Sequence, residues 1–364
     1  MQTLSKTKRI EWIDAMRGFT MILVVFSHVE TWGMNIELGY DGVNDLFRQF
    51  RMPLFFFVSG FIAFRPNEDW NWQYYQKNLL KKMRVQMIPM LAFGLFFTYF
   101  AFTRKTGNIL EQPLISFINS PLKMGYWFTE ALLGMFCIYY TVSFLFRKVK
   151  LPVRQVILSA IALVLYAFTY NSYTHFENHK IANWFCLYYI FLYFQFFVFG
   201  NIVSNYREKI LKWLGNSYVS SAILLLFIGT YTFYCSRHDV QTVYVKTDIS
   251  KLTAEFFKYI GILTMVMIFK NCDNLFSLST RIGRSLQYIG RRTLDVYLLH
   301  YFFIPILPAM GTFFATTNNT LLELVVVLSI SLAVIGISLL ISNILRISPI
   351  LAHYLFGAKK EAQK

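Results

Sequence analysis

Charge is what this chain has least of. Only 15% of its 364 residues are Asp, Glu, Lys or Arg, whereas a soluble domain carries about 25%. Acids are the scarcer sign, with 19 against 35 bases and a net charge of +16. Cysteine is also sparse. The four, Cys137, Cys186, Cys235 and Cys272, sit in or at the ends of different apolar runs with no C-x-x-C pair. That pattern points to neither a disulfide framework nor a thiolate metal site. No internal repeat, low-complexity tract or loop long enough for a second domain is evident.

Apolar residues fill the space that charge leaves. Hydrophobic residues make up 56% and aromatics 19%, and the mean hydropathy is +0.45. Membrane-length apolar runs recur from end to end, which predicts an all-α polytopic transmembrane helical bundle. Ten spans are expected, over 13–34, 50–65, 85–103, 126–146, 152–170, 183–203, 218–235, 254–270, 293–312 and 321–345. The second is short for a crossing. With the N-terminus inside, the interior segments hold about 25 of the 35 Lys and Arg. This asymmetry predicts an N-in, C-in protein of the inner (plasma) membrane, with residues 1–12 and 346–364 cytoplasmic and 1–364 forming one integral-membrane domain. Orientation and anionic lipid headgroups account for the basic excess without nucleic acid. Lys6, Lys8 and Arg9 precede the first run as in a signal peptide, but no small-residue cleavage site follows, so an uncleaved first helix is expected.

Against this background the charges inside the runs stand out, because each needs a partner or a water-filled cavity. The first run contains Asp14, Arg17 and His28. Eleven helical residues bring His28 to within about 20° of Arg17, roughly 16 Å along the axis, and Asp14 lies on the adjoining part of that face. A neutral imidazole can take a proton from a hydroxyl nucleophile. The arginine keeps its charge and suits a phosphate or a polarised carbonyl. In the second run Ser59-Gly60 permits close helix approach. The next loop interleaves Arg65, Lys77, Lys81, Lys82 and Arg84 with Trp70, Trp72, Tyr74 and Tyr75. Such a set serves either nucleotide phosphates and a base, or an interfacial belt. Trp127 and Glu130 open the fourth run, where a carboxylate can orient an imidazole or meet a polar substrate. Asp295 and His300, five apart, are too far round a helix to form a side-by-side pair, so each should face another helix. His175 and His179 have zinc spacing but no third ligand, and no metal is expected.

Several of these segments resemble the acyltransferase-3 family of integral membrane acyltransferases. Arg17 with His28 eleven residues later resembles its R-x10-H signature. Ser59-Gly60-Phe61, Lys81-x-x-Arg84, Trp127-Phe128-x-x-x-Leu132 and the segment from Ser285-Leu286 to Tyr297-Leu298-Leu299-His300 resemble its further blocks, in order. The nearest likeness is to stand-alone sugar O-acetylases of the fucose 4-O-acetylase type. Two departures are visible. Lys81 replaces the first arginine of R-x-x-R, and Leu132 stands where some members carry a glutamate five residues after the tryptophan. The resemblance implies transfer of an acyl group, most often acetyl, from cytoplasmic acyl-CoA to a hydroxyl of an envelope or lipid-linked carbohydrate. It implies His28, Arg17 and Asp14 as the catalytic set and Lys81, Arg84 and Arg17 at the coenzyme phosphates. Glu130, Trp127, Ser59, Tyr297 and His300 would then line the cavity. A flippase for a lipid-linked sugar is the competing class, though the two-fold repeat common among transporters is missing. A glycan polymerase with large outer loops is a third.

Overall fold

The structure is a computed structural model that describes residues 9–36, 42–66, 68–106, 113–120, 122–171, 176, 179–237, 248–317 and 319–358. Every regular element among these residues is helical. In chain order they are α1 (Glu11–His28), α2 (Gly42–Ala63), α3 (Trp72–Thr106), α4 (Pro113–Asn119), α5 (Trp127–Leu145), α6 (Leu151–Asn171), α7 (Lys180–Trp184) and α8 (Leu187–Asn205). There follow α9 (Arg207–Leu214), α10 (Ser217–Arg237), α11 (Asp248–Asn271), α12 (Arg281–Arg291), α13 (Thr293–Leu299), α14 (Pro308–Thr317), α15 (Thr320–Leu345) and α16 (Pro349–Phe356).

Among the described residues seven helices are long and apolar enough to cross a bilayer, or eight if α9 and α10, bent by 82°, count as one span. These correspond to eight of the ten expected runs. The expected second run lies in α2, a 22-residue helix whose first half carries Arg48 and Arg51. The ninth is interrupted rather than continuous. After α13 comes a 3-10 turn, His300–Phe302, and helix resumes only at Pro308. Pro305 and Pro308 explain the gap, since proline lacks a backbone donor and disfavours helix in the residue before it. Pro308 then opens α14, where its missing N–H costs nothing.

The chain divides into two compact units. One comprises 1–55, 207–293 and 305–333; the other comprises 56–206, 294–304 and 334–364. In the first, α1 lies directly against α12. A Cβ on Gly18 would stand 2.0 Å from the Leu286 carbonyl oxygen, and one on Gly290 would stand 1.8 Å from that of Asp14. The backbones therefore touch, which only glycine permits. Around them Phe19 packs on Phe269, and Phe269 stacks on Phe276 at 4.2 Å. The Glu11 carboxylate accepts from Leu278 N, and the Thr280 hydroxyl caps α12 by accepting from Gly283 N.

The second unit uses the same device. A Cβ on Gly60 would stand 1.8 Å from the Phe197 carbonyl oxygen, and one on Gly200 would stand 1.9 Å from that of Phe57. Ser59-Gly60 is thus the crossing of α2 with α8. Asp295, 2% exposed, receives Arg346 through two 2.8 Å bonds and the Ser342 hydroxyl at 2.5 Å. That arrangement ties α13 to the end of α15, so Asp295 does face another helix.

These contacts generate a direct comparison. Gly290→Ala and Gly200→Ala should each destabilise the detergent-purified protein by about 1–3 kcal/mol of overpacking, read as a lower melting temperature. Gly336→Ala, with nothing within 4 Å of the added methyl, should be neutral or slightly stabilising.

Candidate active site

The first unit holds the charges of the first helix. Asp14 is 4% exposed and takes Arg9 Nε at 2.8 Å, with Arg17 Nη1 at 3.8 Å from its other oxygen. Arg17 Nη2 donates to the Thr293 hydroxyl at 2.9 Å. Asp14 therefore holds Arg17 rather than standing free. The close α1–α12 crossing brings Thr293, two residues past the end of α12, within reach. One hydrogen bond and one long ion pair leave most of the five guanidinium donors for another partner, and the Arg17 side chain is 27% exposed.

His28 is the last residue of α1 and is half-buried, its ring 6.1 Å from that of Trp32. Between it and Arg17 the stripe is closed, since Met21 and Val24 are both buried. The helix thus opens at its two polar ends and is packed in the middle. Directly after His28 the backbone widens into a π turn, Val29–Gly33. Such turns are rare and occur often at functional sites. The turn is anchored by Leu307 N donating to the Gly33 carbonyl at 2.6 Å, and by Gly311, where a Cβ would stand 2.0 Å from the Met34 carbonyl oxygen. It carries Glu30, which is fully buried. Sequence reasoning missed this carboxylate, although its position two residues after His28 in the same apolar run was a readable signal.

The second unit gathers most of the other candidates around one turn. Lys123, Met124 and Gly125 all have positive φ, at 47°, 51° and 100°, a conformation that non-glycine residues hold only when their surroundings enforce it. Enforcement comes from three sides. The Tyr297 and Tyr301 hydroxyls both donate to the Gly125 carbonyl, at 2.8 and 2.9 Å. Phe128 N donates to the Tyr297 oxygen, and the Tyr126 hydroxyl donates to the Leu298 carbonyl. Lys123, 1% exposed, donates through Nζ to the Ile118 and Asn183 carbonyls at 2.5 and 2.6 Å, and stands 3.9 Å from Glu130.

Glu130 is buried too and accepts from the Cys186 thiol at 3.2 Å. Its polar partners here are thus a lysine and a cysteine, neither of which sequence reasoning had selected. Trp127 lies tilted against Tyr189 at 4.3 Å and stacks on Tyr193 at 5.8 Å. His300 is fully buried, with Nδ1 donating to the Val296 carbonyl at 2.9 Å. Lys81 and Arg84 sit apart from this cluster, on an exposed face of α3. His175 lies outside the described residues, His179 is exposed, and no metal-binding group occurs among the described residues.

The buried lysine–glutamate pair makes a testable demand. Lys123→Met leaves the Glu130 charge buried without its lysine and should cost about 3–5 kcal/mol. Adding Glu130→Leu should restore part of that loss in thermal melts, since the uncompensated charge goes with it.

A family model described as an acyltransferase domain, of the acyltransferase-3 type, matches residues 10–343. No curated protein and no solved structure matches the chain. The match spans both units and takes in Asp14, Arg17, His28 and the turn at 123–130, and the long apolar helices supply the membrane part. The chain belongs to the acyltransferase-3 family, and the protein is a multi-pass membrane acyltransferase.

Proposed function

We propose that this protein moves an acyl group, with acetyl as the leading candidate, from acyl-CoA to a hydroxyl of a cell-envelope or lipid-linked carbohydrate. One observation carries the reading: a single buried helix holds an arginine braced by Asp14 at one end and a half-buried histidine at the other. In the proposed N-in orientation Arg17 lies at the cytoplasmic end and binds the phosphates of the donor, where a guanidinium can pair two oxygens at once. The thioester end of the donor then reaches His28, at the far end of the helix, by a path other than the packed stripe of Met21 and Val24 between them.

His28 removes the proton from the acceptor hydroxyl as its oxygen bonds to the thioester carbonyl carbon. The carbon–sulfur bond breaks, and the departing coenzyme thiolate receives the proton from the imidazolium. Atoms and charge balance with no further reactant. Asp14 acts as a positioning residue, holding the Arg17 side chain across α12.

The test is labelled acetate supplied to cells expressing the protein or its His28→Ala variant at equal membrane levels. Incorporation into envelope glycans should exceed the empty-vector control and fall about 10²–10⁴-fold in the variant, the usual range for loss of a general base. Label that persists in His28→Ala would remove the histidine from the mechanism. Accumulation of a lipid-linked sugar across vesicles without acylation would replace the enzyme reading with a flippase.

A further inference from the structure

The two faces of α3 are sharply different. One face carries Tyr75, Lys82, Gln86, Met90 and Phe97. Tyr75 bonds Thr141, Lys82 lies 3.6 Å over the Phe136 ring, and the last three are 6%, 2% and 7% exposed. The opposite face carries Lys77, Lys81, Arg84, Ile88 and Tyr99, spaced by four, three, four and eleven residues, which keeps them on one stripe of the helix. All five are exposed. Among the described residues no carboxylate pairs with Lys77, Lys81 or Arg84. Farther along the stripe, Tyr99 is 41% exposed.

The three cations therefore run straight into the apolar, outward side of a membrane-length helix. A soluble phosphate compound would be met by cations alone; this stripe offers cations continued by hydrocarbon. About ten residues beyond Arg84 cover the roughly 15 Å of one leaflet's hydrocarbon. We propose that this stripe is a binding site for anionic phospholipid, with headgroup phosphates on Lys77, Lys81 and Arg84 and an acyl chain running on past Ile88. The site does not depend on the acyl-transfer reading. It gives Lys81 and Arg84 a membrane role in place of the donor-phosphate role that the family resemblance implies.

The experiment uses the full chain purified in neutral detergent and titrated with phosphatidylglycerol or phosphatidylcholine of identical chains. Melting temperature and lipid retained in native mass spectrometry are the readouts. Phosphatidylglycerol should stabilise the wild type more than phosphatidylcholine. The combined variant Lys77→Gln, Lys81→Gln, Arg84→Gln should weaken that preference roughly a hundredfold, from about fivefold per cation. Arg147→Gln, Lys148→Gln, Lys150→Gln, an equal loss of exposed charge, should keep most of it. If the triple variant does not fold, Lys81→Gln and Arg84→Gln singly should each lose about fivefold in retained phosphatidylglycerol. An unchanged preference in the stripe variants overturns the proposal. So does protection of the wild type by free coenzyme A that disappears in the stripe variants while the lipid preference stays.

Discussion

Backbone contact between α1 and α12, at Gly18 and Gly290, is the constraint on which the first unit depends. Two helices that touch through glycine have no side-chain layer between them, so everything on their flanks is set to within a fraction of a side chain. Asp14 lends its carbonyl to the contact and its carboxylate to two arginines. Arg17 gains Thr293 only because the chain leaves α12 beside it. In hydrocarbon there is no water between helices to be released, so close packing and hydrogen bonds must carry association. The α2–α8 crossing at Gly60 and Gly200 meets the same requirement in the second unit.

The charges within the protein fall into two kinds. Asp295 with Arg346, and Lys123 with the Ile118 and Asn183 carbonyls, are engaged by short bonds, and Glu130 stands 3.9 Å from Lys123. Such groups hold segments together, and removing one partner strands the other. Arg17 and His28 are different. Each is only half-buried, and Arg17 keeps donors in reserve. Where the desolvation of Arg17 is only partly offset by its contacts with Asp14 and Thr293, an external partner completes its set, as expected of a site rather than a staple.

Much of this was legible beforehand. Apolar run length marks the helices α1, α3, α5, α6, α8, α10, α11 and α15, because a bilayer admits little else. Arg17 and His28 were visible as charges that hydrocarbon penalises. Proline placement, not hydropathy, decides the segment after α13: Pro305 and Pro308 break a run that reads as a continuous crossing. The partners of Glu130 were out of reach of spacing rules. Lys123 precedes it through a turn with three left-handed residues, and Cys186 lies more than fifty residues on. Lys81 and Arg84 matched a motif, while the direction they face depends on which side of α3 meets α5.

The central claim is that Arg17 anchors the acyl donor while His28 acts on the acceptor. Equilibrium binding of acetyl-CoA to the purified protein separates the two roles. The account predicts that Arg17→Gln weakens binding at least tenfold, the loss of a charge-assisted contact of about 1.5–3 kcal/mol, while His28→Ala binds as the wild type does. Undiminished binding by Arg17→Gln would contradict it.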